Sequence, residues 1–155
     1  DHQKKGEASF EKEMARLKRH GVPFSLVLLA IENHGGLGEA DRRNVPPAVF
    51  QKLATLVRRR LRTNDSSYRH GPNQIIMLLA HCPENRAWLF SGTLLNDLRL
   101  LGDDQTETGP GGEPDFAERY EVKIGVAEAK SASELEELVH GAQSCLETLY
   151  EFRAK

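Results

Sequence analysis

The chain has little cysteine, no long apolar run and almost no excess charge of either sign. Two cysteines, Cys82 and Cys145, give no disulfide framework, so free thiols in a reducing compartment are expected. The longest apolar run, Phe24 to Ile31, is far short of the roughly 20 residues that span a bilayer. No charged start followed by a small-residue cleavage site opens the chain, which excludes a secretory leader in this stretch. A cytoplasmic location is expected, and with Asp1 in place of Met the chain is expected to be the C-terminal part of a longer protein that could be membrane-attached. A net charge of −2 excludes wholesale capture of nucleic acid or of an anionic membrane, though not a local basic site. The six histidines show no useful metal spacing, and the adjacent His81 and Cys82 would point to opposite faces of a strand. Neither metal nor cofactor is expected.

What is present is ordinary globular material. A length of 155 residues suits one domain over 1–155, long enough for a sizeable core. Phe10, Met14 and Leu17 share one helical face, and Gly21 follows the basic Lys18-Arg19-His20 as a stop. Phe24 to Ile31 reads as a central strand covered on both faces. Glu32 to Gly38 is too glycine-rich for a regular element. Pro46-Pro47 opens a helix whose stripe is Phe50, Leu53, Val57 and Leu61. Ser66–His70 and Gln74–His81 flank a turn at Gly71-Pro72 and form a hairpin with a buried second arm. Asn85 to Leu101 is a helix with Leu94, Leu95, Leu98 and Leu101 inward, and Gly102 to Glu113 a polar, mobile loop. Tyr120 to Val126 alternates as a strand. Ser131-Ala-Ser-Glu134 has the pattern of a capping box, and Leu135, Leu138, Val139, Ala142, Leu146 and Leu149 predict one long helix to the end.

Helix, strand, helix, hairpin, helix, strand, helix is the order of an α+β sandwich. Its centre would be a mixed or antiparallel sheet with a ferredoxin-like split βαβ core, flanked by helices.

Arg58, Arg59, Arg60 and Arg62 crowd the end of the Pro47 helix, where the helix dipole favours cations. Arg62-Thr-Asn-Asp65 then places a guanidinium and a carboxylate three residues apart at the stop. Taken alone, that pair could be a solvated ion pair worth under about 1 kcal/mol. Its surroundings add to it. Arg62-x-x-Asp65, three residues, Arg69-x-Gly71, a turn and an apolar strand together resemble the GGDEF domain of diguanylate cyclases. Gly21-x-Pro-Phe-Ser-Leu-Val-Leu-Leu29 resembles the strand leading to that family's Asp-x-Asp, and Lys123-Ile-Gly-Val-Ala127 a late strand. The resemblance covers almost the whole chain. It implies a fold of the nucleotide-cyclase type and a relation to cyclic di-GMP, which the active family members make from two GTP molecules at the signature hairpin.

At the chemistry the chain departs from the family. The signature reads Gly71-Pro72-Asn73-Gln74-Ile75. Proline stands where a glycine lets the backbone approach nucleotide, Asn73 where a metal-binding acid stands, and Gln74 where a glutamate does. The first metal-binding Asp of the early strand falls at Ala30, leaving Glu32 as the other acid, and the substrate-contacting Asn and Asp fall at Gly38 and Glu39. Gln143 and Tyr150 stand at the places of an Asp and a phosphate-contacting Lys. Metal-assisted phosphoryl transfer is therefore not expected, and the chain is read as a non-enzyme. What survives is the Arg-x-x-Asp element, which in the family binds product, usually as an intercalated dimer of cyclic di-GMP. The resemblance implies a receptor in which Arg62 and Asp65 read guanine, Arg99 completes the site with Arg86 as the alternative, and Arg58 and Arg69 serve phosphates. Such receptors relay the second messenger to an attached domain or partner, in exopolysaccharide and biofilm regulation among others. The other readings are a ligand-free interaction or dimerisation module and a domain that holds GTP without turnover.

Overall fold

A computed structural model describes residues 2–35, 38–105 and 119–153. In chain order the elements are α1 (His2–His20), β1 (Ser25–Asn33), a one-turn α2 (Glu39–Arg42), α3 (Pro47–Arg60), β2 (Ser66–His70), β3 (Gln74–Leu79), α4 (Glu84–Gln105), β4 (Arg119–Glu128), α5 (Leu135–Ser144) and β5 (Glu147–Arg153). The five strands form one sheet in the order β2-β3-β1-β4-β5, every neighbouring pair antiparallel. Both β1 and β2 are antiparallel to β3 and so run parallel to one another, joined through α3 with β3 inserted between them. That is the split βαβ arrangement the element order predicts.

Helices cover both faces, which explains why β1 is apolar almost throughout. Val27, Leu29 and Ile31 point to one side, where Phe50, Leu53 and Val57 of α3 and Ala87, Leu94 and Leu98 of α4 pack on them. Leu26 and Leu28 point to the other, into a second cluster with Met14 of α1 and Leu138 and Ala142 of α5. Gly125 is where α5 comes closest to the sheet: a Cβ there would lie 1.9 Å from the carbonyl oxygen of Ala142. Gly6 serves α1 in the same way, since a Cβ would fall 2.4 Å from the ring of Tyr68 on β2.

Several elements differ from the sequence reading. The last helix stops at Ser144, and residues 147–153 form β5 on β4. Leu146 and Leu149 continue the helical spacing, but Thr148, Tyr150 and Phe152 also alternate with period two and are strand formers, and Phe152 packs against Tyr120 with the rings tilted and their centroids 5.5 Å apart. Ser131 to Glu134 is not a capping box. Ser133 Oγ accepts the N–H of Lys130 at 2.8 Å, and α5 begins after Glu134 with no side-chain cap. Helix α4 runs on to Gln105, through Gly102 to Gln105 of the expected loop, whose remainder lies outside the described residues. The short α2 was not expected. Cys82 is buried and Cys145 exposed, both free. Among the described residues no helix is long and apolar enough to cross a membrane.

Candidate functional site

Helix α3 ends at Arg60, with Leu61 already extended, so Arg62 to Asp65 form the loop that turns the chain into β2. This loop closes on itself. Asp65 Oδ2 accepts the Arg62 backbone N–H at 2.9 Å and its Nε at 3.0 Å, while Oδ1 accepts Arg62 Nη2 at 3.1 Å. The same Oδ1 accepts the N–H of Ala80 at the far end of β3, at 2.9 Å, and Arg62 Nη2 also donates to the Ala80 carbonyl. The Asp65 side chain is only 1% exposed, against 58% for Arg62. The hydrogen bond to Asp65 holds the Arg62 guanidinium above its ordinary pKa. A buried carboxylate thus fixes a largely exposed guanidinium in one orientation, and among the described residues its Nη1 makes no hydrogen bond.

Arg62 and Asp65 line a pocket of about 280 Å³ together with Arg60, His81, Cys82, Arg86, Phe90 and Thr93. Arg60 is committed elsewhere: its Nε and Nη2 donate to Asp97 at 2.7 and 2.8 Å, joining α3 to α4. That hydrogen bond, with the charge behind it, lowers the Asp97 carboxyl pKa. Burial pushes the Cys82 thiol up.

The residues expected from sequence therefore separate. Arg86 joins Arg62 and Asp65, whereas Arg99 is exposed on α4 and does not line the pocket. Arg99 lies two residues beyond Asp97, and a turn of about 100° per residue carries it to another face of the helix. Arg58 and Arg69 meet in a different pocket of about 230 Å³, with Lys5, Phe50 and Tyr68. The Arg69 guanidinium sits 4.1 Å from the centre of the Phe50 ring and donates to the carbonyls of Gly71 and Pro72, bracing the hairpin turn. Both oxygens of Asp65 accept hydrogen bonds from the protein itself.

At the signature turn, Asn73 is buried and its Nδ2 donates to the carbonyl of Ile31 at 2.9 Å, while the Ile31 N–H donates to the Asn73 carbonyl, also at 2.9 Å. A carboxylate there would face that carbonyl oxygen with no hydrogen to offer. The amide closes β3 onto β1 by a direct hydrogen bond. Ala30 lies opposite Gln74 on β3 and Lys123 on β4.

Beside these positions lies a cluster the sequence reading missed. Glu32 pairs with Glu121 across β1 and β4, and His34 Nε2 lies 2.9 Å from Glu121 Oε1 and 3.5 Å from Glu32 Oε1. Burial raises the Glu121 carboxyl, but bonds from Thr148 and His34 and the Lys123 charge outweigh it, leaving the pKa lowered. Glu32 and His34, two residues apart, were the only signal available; Glu121 arrives through strand register alone.

No family profile matches the chain, and no curated protein matches it. Solved structures do, and the fold they share with it is that of GGDEF domains. The GGDEF domain of DgcB from Caulobacter crescentus, in complex with c-di-GMP, is similar at a TM-score of 0.66 and 17% identity, over 91% of this chain and 77% of that one. The GGDEF domain of YfiN (TpbB) from Pseudomonas aeruginosa is similar at 0.65 and 16%, over 89% and 82%. A microbial GGDEF domain described in a novel interaction mode with cyclic di-GMP is similar at 0.63 and 19%, over 91% and 81%.

Proposed function

We propose that this domain is a catalytically inactive receptor for cyclic di-GMP, binding through Arg62 and passing ligand occupancy to an attached domain or a protein partner. The observation that carries the reading is the Arg62–Asp65 clamp: an exposed guanidinium held by a buried carboxylate at the rim of a pocket that Arg86 also lines. Arg62 offers Nη1 and its plane to a guanine, by hydrogen bonding and stacking. Asp65 acts from beneath, by holding Arg62. Arg86 supplies a second cation for the ligand's charge, and an intercalated dimer would extend beyond the pocket toward the exposed face of α4, where Arg99 lies. Arg58 and Arg69, in their own pocket, are left to a peripheral phosphate or to structure alone. The likeness in fold to GGDEF domains solved with cyclic di-GMP supports this ligand class. Ala30, Pro72, Asn73 and Gln74, with the hydrogen bond from the Asn73 side-chain amide to the Ile31 carbonyl, support the absence of cyclase chemistry. In combining a degenerate signature with a kept Arg-x-x-Asp element, the chain resembles the exopolysaccharide-synthesis regulator PelD.

Thermal melting with each nucleotide tests the reading. A ligand that binds only the folded state stabilises it by about 2.7 kcal/mol at a hundredfold excess over Kd. Cyclic di-GMP should raise the melting temperature by several degrees while GTP does little. Equal shifts would favour a domain that holds GTP without turnover, and no shift from either would favour a ligand-free interaction module.

A further inference from the structure

The cluster at the end of β1 and β4 is arranged to take a metal ion. Glu32 Oε1, His34 Nε2 and Glu121 Oε1 lie within 4.8 Å of one another, a group of three side chains that could hold a metal. Two of the separations are those of neighbouring ligand atoms around one cation. At about 2.1 Å from an ion, adjacent ligands stand about 3.0 Å apart in octahedral and about 3.4 Å in tetrahedral geometry. His34 Nε2 is 2.9 Å from Glu121 Oε1 and 3.5 Å from Glu32 Oε1.

The other oxygen of each carboxylate is already engaged. Glu32 Oε2 faces Lys123 Nζ at 3.3 Å, and Glu121 Oε2 accepts from the Thr148 hydroxyl. Outer partners of this kind orient metal ligands. They leave the two Oε1 atoms turned toward the imidazole.

The third observation is an unmet bond. Glu32 Oε1 is shielded from water and has no hydrogen-bond partner among the described residues. His34 Nε2 carries at most one hydrogen, and Glu121 holds it, so the imidazole cannot satisfy both acids. A cation between them satisfies all three atoms at once. Nε2 binds a cation through its lone pair, so the hydrogen of the bound imidazole sits on Nδ1.

We infer that Glu32, His34 and Glu121 form a binding site for a divalent cation of the zinc type. One imidazole nitrogen with two carboxylate oxygens is a donor set for a borderline ion. The side chains of Glu32 and His34 remain about a fifth exposed, so water can reach the site and complete the shell. Two carboxylates against the single Lys123 ammonium leave a net negative site. Lys123, 4.0 Å from Glu121 Oε1, opposes the incoming ion and sets a moderate affinity. Of the positions the cyclase resemblance assigns to metal, only Glu32 takes part, and the inference stands independently of the nucleotide reading.

The test is calorimetric titration of the chelator-stripped chain with zinc chloride, with a parallel cobalt titration followed by visible absorption. The expected result is one ion per chain, weakened at least about tenfold by Glu32→Gln or His34→Gln. Lys123→Met should tighten binding, by about tenfold, because it removes a like charge beside the ion. Circular dichroism and melting of each variant show whether it still folds, and the near-isosteric Glu32→Gln keeps the test open should His34→Gln not fold. No binding by the wild-type chain, or binding that Glu32→Gln and His34→Gln leave unchanged, overturns the inference. So does binding that Cys82→Ser abolishes in their place.

Discussion

Asp65 Oδ1 accepts the backbone N–H of Ala80 at 2.9 Å, tying the loop that leaves α3 to the far end of β3, fifteen residues on. The carboxylate that orients Arg62 is thus also a strut of the hairpin, and its two roles respond differently to mutation. Asp65→Ala should lower stability by about 1–3 kcal/mol, the cost of leaving buried donors unpaired, and should abolish cyclic di-GMP binding. Arg62→Lys should leave the urea midpoint nearly unchanged, since that side chain is 58% exposed. It should nevertheless weaken binding by about 1.5–3 kcal/mol, the worth of a charge-assisted hydrogen bond. Urea unfolding and calorimetry on both variants separate the roles. Wild-type affinity in Arg62→Lys would sink the guanine-reading site.

The two arginines of α4 should behave unlike one another. Arg86 shares the pocket of Arg62, and Arg99 does not line it. Arg86→Ala should weaken binding of a single cyclic di-GMP several-fold at fixed salt. Arg99→Ala should matter only if a second, stacked ligand is bound, which would show as a loss of stoichiometry and not of first-site affinity. Equal losses at one-to-one stoichiometry would contradict this arrangement.

The central strand, the hairpin and the order of the longer elements as far as α5 were legible in the sequence, because burial on both faces keeps β1 apolar without interruption from Leu26 to Ile31. The end of the chain was not. Leu146 and Leu149 satisfy a helical period, while Thr148, Tyr150 and Phe152 satisfy a strand period, and only the free edge of β4 decides between them. At the site, sequence spacing identified the Arg62–Asp65 pair but not its direction. That Asp65 faces inward depends on the Ala80 N–H, which strand pairing brings to it. That Arg86 lines the pocket of Arg62 while Arg99 does not depends on which face of α4 meets α3, and Arg60–Asp97 marks that face.

Asn73 offers a test of how the signature turn is stabilised. Asn73→Asp replaces the amide donor facing the Ile31 carbonyl, 2.9 Å away, with a second acceptor. Without added metal the variant should lose about 1–3 kcal/mol. Part of that loss should return with magnesium or manganese if the Ile31 carbonyl and the new carboxylate can share an ion. Melting in chelator and in each metal measures both effects. An unchanged melting temperature in chelator would mean that the amide contributes nothing.

Gly125 should be nearly immutable for a reason unconnected with ligand. A Cβ there meets the Ala142 carbonyl oxygen at 1.9 Å, and the obstruction is backbone that no rotamer change can clear. Gly125→Ala should force α5 off the sheet and cost about 1–3 kcal/mol or more. Gly92→Ala, on α4 with open space around its Cβ position, is the control and should stabilise slightly. Urea unfolding of the two variants decides it.

The last prediction concerns how α1 is held. Gly6 lies directly on the ring of Tyr68, which is only 7% exposed. Burial, and then the charge of Glu7, pushes the Tyr68 phenol from 10.0 up to about 12. The pKa is raised in the folded state, so the neutral form is favoured there. The stabilisation is complete below pH 10 and is lost as pH rises through 12. The melting temperature should therefore fall across that window, with α1 leaving β2 first, because ionised Tyr68 must reach water. Tyr68→Phe keeps the ring against Gly6 and removes the titration. Its melting temperature should be flatter than wild type from pH 10 to 12, with lysine and other tyrosine titrations common to both proteins. Parallel curves for the two proteins over that range would show that the Tyr68 hydroxyl is not sealed beneath α1.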